Sequence, residues 1–231
     1  MNVVDFYRQF IKPSDRVFDI GSNVGSRVEV FSRLARVVVA VEPLEEIFSV
    51  LSSVFQHNEN VVLVKRACGS GFEPSPATIM LYDPAYPLGG ISSMSKQWVE
   101  AVRQSHRFTK YGDANWKSTH EVLVTTLDKL IEHYGKPTFI KIDVEGYEPE
   151  VLAGLSQSVN SLSFEFTPER MVDAFSCINH CSMLGMNQFA LSIKESFELS
   201  EWESATATKE RLKSYLGDNV VYGDIYARLP E

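Results

Sequence analysis

Apolar residues change their spacing along this chain in a repeating order. Val3, Val4, Tyr7, Phe10 and Ile11 recur at helical intervals, so a short amphipathic helix is expected over the first dozen residues, ending before Pro13. Arg16 to Ile20 reads as a buried strand that enters the turn Gly21-Ser22-Asn23. Val24, Val28, Phe31, Leu34 and Ala35 give the next segment one apolar stripe and therefore a helix. Val37 to Val41 is a β-branched strand, Ile47, Val50, Leu51 and Val54 mark a second helix, and Val61 to Val64 is a third strand. Such alternation with short connections predicts a parallel sheet joined by right-handed crossovers.

The pattern resumes with a strand at Thr138–Ile142, a helix at Pro149–Leu155, a strand at Leu162–Phe166 and a helix at Glu169–Leu184. Two more strands follow, Phe189–Ile193 and Val220–Leu229. Residues 69–137 interrupt this alternation, and they far exceed an ordinary connection of about 2–6 residues. Within them, strands are expected at Thr78–Tyr82 and Val122–Thr126 and a helix around Trp98–Ser105. Tyr82, Tyr86, Trp98, Phe108, Tyr111 and Trp116 favour an ordered insertion, and its position suggests a cap on the substrate side.

Length and charge narrow the class. The chain has 231 residues, which fits a single domain over 1–231. Its net charge of −8 argues against duplex nucleic acid as a partner. The longest aliphatic run, Val37 to Val41, is far short of the roughly 20 residues a membrane helix needs. The first residues carry no basic and apolar leader pattern. Cys68, Cys177 and Cys181 are an odd set, expected to be free thiols in a reducing compartment, so a cytoplasmic location is expected. Cys177, His180 and Cys181 share one predicted helix but lack a fourth ligand for zinc, so no metal site is expected.

Three segments carry chemistry. Asp19-Ile20-Gly21-Ser22-Asn23-Val24-Gly25 joins the first strand to a helix, where ligands of open parallel sheets bind. Its G-x-x-x-G spacing is neither the dinucleotide fingerprint nor a phosphate loop. Glu42, at the end of the second strand and twenty-one residues after Gly21, is placed to accept hydrogen bonds from both hydroxyls of a ribose. As a loop acid it should be dispensable for the stability of the free protein. A ribose-bearing ligand without pyrophosphate fits both features, and S-adenosylmethionine is such a ligand. The third segment, Phe139-Ile140-Lys141-Ile142-Asp143-Val144-Glu145-Gly146-Tyr147-Glu148, ends a strand in acids at the same edge of the sheet.

With Val151-Leu152-Ala153-Gly154 this last segment resembles the FkbM-type S-adenosylmethionine-dependent methyltransferases. That family reads D-I-G-A-N-x-G, V-x-x-E-P, T-L-D and I-K-I-D-V-E-G-x-E-x-x-V-L-x-G. Asp19 to Gly25, Val39 to Pro43, Thr126-Leu127-Asp128 and Ile140 to Gly154 match it in order, with Ser22 in place of the usual alanine. The resemblance covers residues 16–166. It implies a Rossmann-like class I methyltransferase fold of the α/β class, a seven-stranded, mostly parallel sheet with an antiparallel last strand and an insertion between strands three and four.

It also implies a cofactor set of Asp19, Gly21, Ser22, Asn23, Gly25, Glu42, Pro43, Ala67, Cys68 and Asp143. The glycine turn would line the methionine end, Glu42 would hold the ribose, and Ala67 and Cys68 would flank adenine. Asp143 would stand between cofactor and acceptor. Family members act on sugar or polyketide hydroxyls, so a small-molecule or glycan acceptor is implied.

An alkyl hydroxyl is a poor nucleophile, so a general base is expected. Asp143 and Glu145 are the first candidates, with His120 or His106 second. Ser92 and Ser93 are candidates for shaping the acceptor pocket. Lys96, Arg103, Arg107, Lys110 and Lys117 are a basic cluster suited either to an anionic acceptor or to a solvated helix face. Two other readings share the strand-turn-helix and the acid: a nicotinamide-dependent oxidoreductase and a non-catalytic nucleoside-binding module. The first lacks the dinucleotide spacing and an evident Tyr-x-x-x-Lys pair. The second would have no need of Asp19, Glu42, Asp143 and Glu145 together.

Overall fold

A computed structural model of the chain describes residues 2–74, 76–82, 91–105, 116–194, 196–217 and 221–230. The first half contains α1 (Val3–Tyr7), β1 (Arg16–Ile20), α2 (Ser26–Ser32), β2 (Val37–Val41), α3 (Glu45–Phe55), β3 (Val61–Val64), β4 (Ala67–Cys68), β5 (Ala77–Tyr82) and α4 (Lys96–Ser105). It continues with β6 (Trp116–Val122), β7 (Val124–Thr125), α5 (Leu127–Tyr134), β8 (Phe139–Ile142) and α6 (Glu148–Ala153). Last come β9 (Ser161–Phe166), α7 (Met171–Met183), β10 (Gln188–Ile193), α8 (Ala205–Lys213) and β11 (Gly223–Arg228).

Seven strands form one sheet in the order β10-β11-β9-β8-β1-β2-β3. β1 runs parallel to β2 and β8, β2 to β3, and β8 to β9. β11 is antiparallel to both β9 and β10. This is the mostly parallel sheet with one reversed strand that the sequence implies. β1 and β2 coincide with the apolar runs, because a strand covered on both faces needs side chains that pack in either direction. Val17, Val38, Ala40, Phe139 and Tyr226 face α1 and α2, where Phe6, Tyr7, Val28 and Phe31 cover them. Phe18, Ile20, Val39, Ile140, Phe164 and Ile225 face α5 to α8. Phe10 stacks on Phe139 and Tyr226 at 5.3 and 5.1 Å, so the N-terminal segment seals its face with aromatic surface. No helix among the described residues is long and apolar enough to cross a membrane.

Four details differ from the periodicity. α1 is only five residues long, capped by the Asn2 side chain on the Asp5 N–H, and Phe10 and Ile11 lie in the turns that follow. The strand expected at Val122–Thr126 is split between two partners. Val122 ends the antiparallel pairing of β6 with β5, while Val124 and Thr125 pair with Ala67 and Cys68. α5 lies inside the segment read as insertion, although Leu127, Leu130 and Ile131 are buried at helical spacing and Thr126 caps Lys129. α8 has no apolar stripe to reveal it, since Thr208 and Leu212 are its buried residues.

The insertion is pinned to the sheet by Trp98 of α4. Its ring is fully buried and its Nε1 donates to Thr167 Oγ1 at 3.1 Å. Gly146, at φ +84°, lies flat on that ring, and a Cβ there would come within 2.2 Å of it. Ser93 Oγ donates to the Glu145 carbonyl at 2.6 Å, a second tie between insertion and strand edge. Tyr86, His106, Arg107, Phe108, Lys110 and Tyr111 lie outside the described residues, as do the side chains of Tyr82, Trp116 and Lys117. Replacing Trp98 by Ala should cost about 3–5 kcal/mol, the usual loss for a buried large aromatic. The melting temperature should then fall by roughly 6–20 °C. A shift under about 2 °C in a calorimetric melt would show that α4 is not anchored this way.

Candidate active site

The turn after β1 is built against the end of β8. Gly21 has φ +84°, and a Cβ on it would stand 1.8 Å from the Asp143 carbonyl oxygen. Only glycine permits that approach. The Gly21 and Ser22 N–H groups donate to the Val41 carbonyl at 2.9 and 3.0 Å, and the Asp143 N–H donates to Ile20 at 2.9 Å. Three strand ends are thereby drawn to one point. Ser22 Oγ turns back to the Asp19 carbonyl at 2.8 Å. Asn23 takes a left-handed conformation, φ 49°, and its Oδ1 accepts from the Val24 N–H. Gly25 packs against Leu51 and Phe55 of α3.

Glu42 follows β2 directly and is only 5% exposed. Its carboxylate accepts from the Asn23 N–H at 3.0 Å and the Leu44 N–H at 2.9 Å. It therefore ties the loop after β1 to the loop after β2. Burial pushes its carboxyl up to about 7 despite those hydrogen bonds. The expectation that Glu42 is dispensable for the free protein is thus corrected. A loop position does not imply solvation when two neighbouring backbone N–H groups close over the side chain.

Beyond β8 the chain crosses the sheet edge through two positive φ angles, 57° at Glu145 and 84° at Gly146. Glu148 folds back to accept from the Val144 N–H at 3.1 Å, and burial raises it to about 8. Lys141 is 3% exposed, and its Nζ donates to Asp143 Oδ2 at 2.7 Å. Asp19 is buried, its Oδ2 has no hydrogen-bond partner, and desolvation raises it to about 6 while the Lys141 charge opposes this.

These loops enclose a cleft with about 720 Å³ of open space. Gly21, Asn23, Glu42, Pro43, Ala67, Cys68, Asp143 and Glu145 line it together with Arg66, Tyr147, and Ile79, Ser92 and Met94 of the insertion. Asp19 and Ser22 lie in an adjoining recess with Arg27 and Lys141, and Gly21, Asn23 and Asp143 face both spaces. Gly25 lines neither space and His120 stands outside both, on β6. Tyr147 is held by its hydroxyl, which donates to Glu73 at 3.2 Å. The three cysteines are buried free thiols, and His180 pairs its Nε2 with the Leu155 carbonyl at 2.9 Å.

Sequence reading passed over Lys141, Glu165 and Arg66. The first two had a signal: each is a charged residue inside an otherwise apolar strand, and each precedes or opposes Asp143. Arg66 carries no such signal.

The methyltransferase FkbM domain model matches residues 19–182. The chain is 26% identical over 171 residues to the hexuronic acid methyltransferase AglP of Haloferax volcanii, a match covering 71% of this chain and 59% of that protein. It superposes on the crystal structure of methyltransferase FkbM from Methylobacillus flagellatus with a TM-score of 0.53 and 15% identity, over 94% of this chain and 44% of that one. The chain thus spans about three-fifths of its curated relative and less than half of the solved one. The structural likeness establishes the Rossmann-like class I methyltransferase fold.

Asp19, Glu42 and Glu148 hold protons more tightly when folded than when unfolded. Such acids favour the folded state at low pH, and that advantage is lost as pH rises from the unfolded to the folded value. The melting temperature of the ligand-free protein should therefore decline between pH 5 and pH 8. Glu148→Gln, which keeps the shape and removes the charge, should flatten part of that slope. A melting temperature that climbs over this range, or an unchanged slope in the variant, contradicts the burial of charge described above.

Proposed function

The chain belongs to the FkbM methyltransferase family, and from that premise we propose that it uses S-adenosylmethionine to methylate a hydroxyl of a sugar, glycan or polyketide-like small molecule. The observation that carries this reading is the convergence of Glu42, the Gly21–Asn23 turn and Asp143 on one cleft. The donor set suits the cofactor. Asp19 Oδ2, buried without a partner beside the turn, matches a group carrying positive charge such as the cofactor's ammonium. Glu42 lines the cleft with each oxygen accepting one backbone N–H, and its remaining lone pairs match the ribose diol. Ala67 and Cys68 offer apolar walls for adenine. When bound, S-adenosylmethionine supplies a methyl group already activated by its positively charged sulfur.

The chain's own task is then to align the acceptor oxygen with that methyl group, exclude water and assist loss of one proton. Asp143 and Glu145 line the cleft, which supports them as the groups that assist loss of the proton. Within the segment read as an insertion, Ile79, Ser92 and Met94 line the cleft, which supports a substrate-side cap there, whereas α5 packs under the sheet. The sugar acceptor is supported by the relative that methylates hexuronic acid.

Calorimetry should detect binding of S-adenosylmethionine and of its demethylated product, and none of NAD. Glu42→Ala should weaken that binding at least about tenfold, by loss of charge-assisted hydrogen bonds. It should also lower the melting temperature, because the Asn23 and Leu44 N–H groups lose their acceptor. Asp143→Asn should cut turnover by roughly 10²–10⁴-fold with a much smaller change in cofactor affinity. Tight NAD binding without response to the other two would sink this reading. Near wild-type turnover in both Asp143→Asn and Glu145→Gln would remove the acids from the mechanism.

A further inference from the structure

Asp143, Glu145 and Glu165 each present one carboxylate oxygen, and these oxygens all lie within 4.8 Å of one another. The fold makes this juxtaposition. β8 and β9 run parallel with Ile142 opposite Phe164, so Asp143 and Glu165 occupy the next positions along the two strands. The left-handed backbone at Glu145 then turns the chain back over the same edge.

Glu165 is the unusual member. Its Oε2 is sealed from solvent and has no hydrogen-bond partner among the described residues. A buried carboxylate oxygen without a donor is costly and calls for either a proton or a cation. Lys141 does not serve it, because its ammonium is committed to Asp143 at 2.7 Å and lies 3.9 Å from Asp224. Burial, and then Glu145, Asp143, Glu148 and Asp224, all push Glu165 towards its neutral form. A positive charge among these acids would reverse that balance.

We propose that Asp143, Glu145 and Glu165 form a binding site for a hard divalent cation at the wall of the methyl-transfer cleft. Carboxylate oxygens are the donors such ions prefer. Opposed ligands of calcium, at 2.3–2.6 Å each, stand about 4.6–5.2 Å apart, and those of magnesium about 4.0–4.2 Å. The 4.8 Å bound lies within the span of one opposed calcium pair, and since three ligands cannot all be opposed the oxygens would draw together on binding, further for magnesium or manganese than for calcium. Glu165 would be the inner ligand, since it lines the recess walled by Trp98, Glu148 and Thr167 and not the cleft. Asp143 and Glu145 face the cleft, so the ion's remaining positions open towards the acceptor.

The ion's role rests on the methyltransferase reading, whereas its presence does not. There it would take the acceptor hydroxyl oxygen and lower its pKa, so that Asp143 and Glu145 would assist loss of the proton through the ion they hold, and the proton would leave to water. That oxygen forms the bond to the methyl carbon, the carbon–sulfur bond breaks, and its electron pair stays on a now neutral sulfur. Acceptors with a second oxygen on the adjacent carbon, a vicinal diol or a hydroxy acid, would chelate the ion and be preferred.

The test uses the full chain stripped with a chelator and then titrated with Mg²⁺, Mn²⁺ or Ca²⁺ in the absence of cofactor. Expected is saturable 1:1 binding by calorimetry and a rise in melting temperature of about 5 °C or more at a hundredfold excess over Kd. Glu165→Gln should weaken cation binding at least about tenfold. Its melting temperature without cation should equal or exceed that of the wild type, since a buried repulsion is removed. No saturable binding of any of the three ions, or binding unchanged in Glu165→Gln, overturns the proposal and leaves Glu165 a protonated buried acid. S-adenosylmethionine is titrated into the same samples. Cofactor binding without a cation response rejects the ion alone, while cation binding without cofactor binding upholds the site and rejects its catalytic role.

Discussion

An ammonium group withdrawn from water survives only where carboxylates surround it. Lys141 meets that condition at the centre of the sheet. It stands on β8 between Asp19 of β1 and Ser163 of β9, with Asp143 and Asp224 within reach of its Nζ. Burial pulls its pKa down, but the two aspartates overcome this and keep it charged. In return its charge restrains the upward push on Asp19 and fixes the Asp143 carboxylate at 2.7 Å. The acidic edge of the sheet is therefore held together from within by one lysine, and the cleft takes its shape from the acids so held.

The glycine turn imposes the second constraint. Because Gly21 touches the Asp143 backbone, β1 and β8 must end at the same level. Because its N–H bonds to Val41, β2 must end there as well. Asp19, Glu42 and Asp143 are then neighbours by construction, although they are scattered over 125 positions of the chain. Glu42 adds the tie between the first two loops, so the carboxylate proposed to hold the ribose is also a structural one. A bound diol would have to share an anion that the backbone already uses, which couples loop order to occupancy.

Much of this was legible in the residues. β2 is an apolar, β-branched run because a central strand covered on both faces takes side chains that pack in either direction, β1 departs from that at Arg16 and Asp19, and β3 is a half-buried apolar strand at the sheet edge. Of the aromatic residues from which order was expected in the insertion, Trp98 is fully buried, whereas the side chains of Tyr82, Tyr86, Phe108, Tyr111 and Trp116 lie outside the described residues. α8 escaped notice because it rests on the protein through little more than Leu212. Glu42 was placed at the right strand end, but its burial depends on how two loops close, which no local pattern records. Lys141 and Glu165 were visible as charges in apolar strands. The nearest partner of Lys141, Asp143, is two residues along, but Asp224 comes from β11 and Glu165 meets Asp143 across the β8–β9 edge, so the full set of pairings emerges only from the assembled sheet.

The central claim is that Glu42 and Asp143 bracket a nucleoside and a methyl-transfer point within one cleft. A crystal structure of the complex with S-adenosylhomocysteine measures this directly. The account predicts both ribose hydroxyl oxygens at about 2.5–2.7 Å from the Glu42 carboxylate, the range of charge-assisted O–H···O bonds, and the sulfur facing Asp143. A nucleoside seated elsewhere, with Glu42 bonded to Asn23 and Leu44 alone, would contradict it.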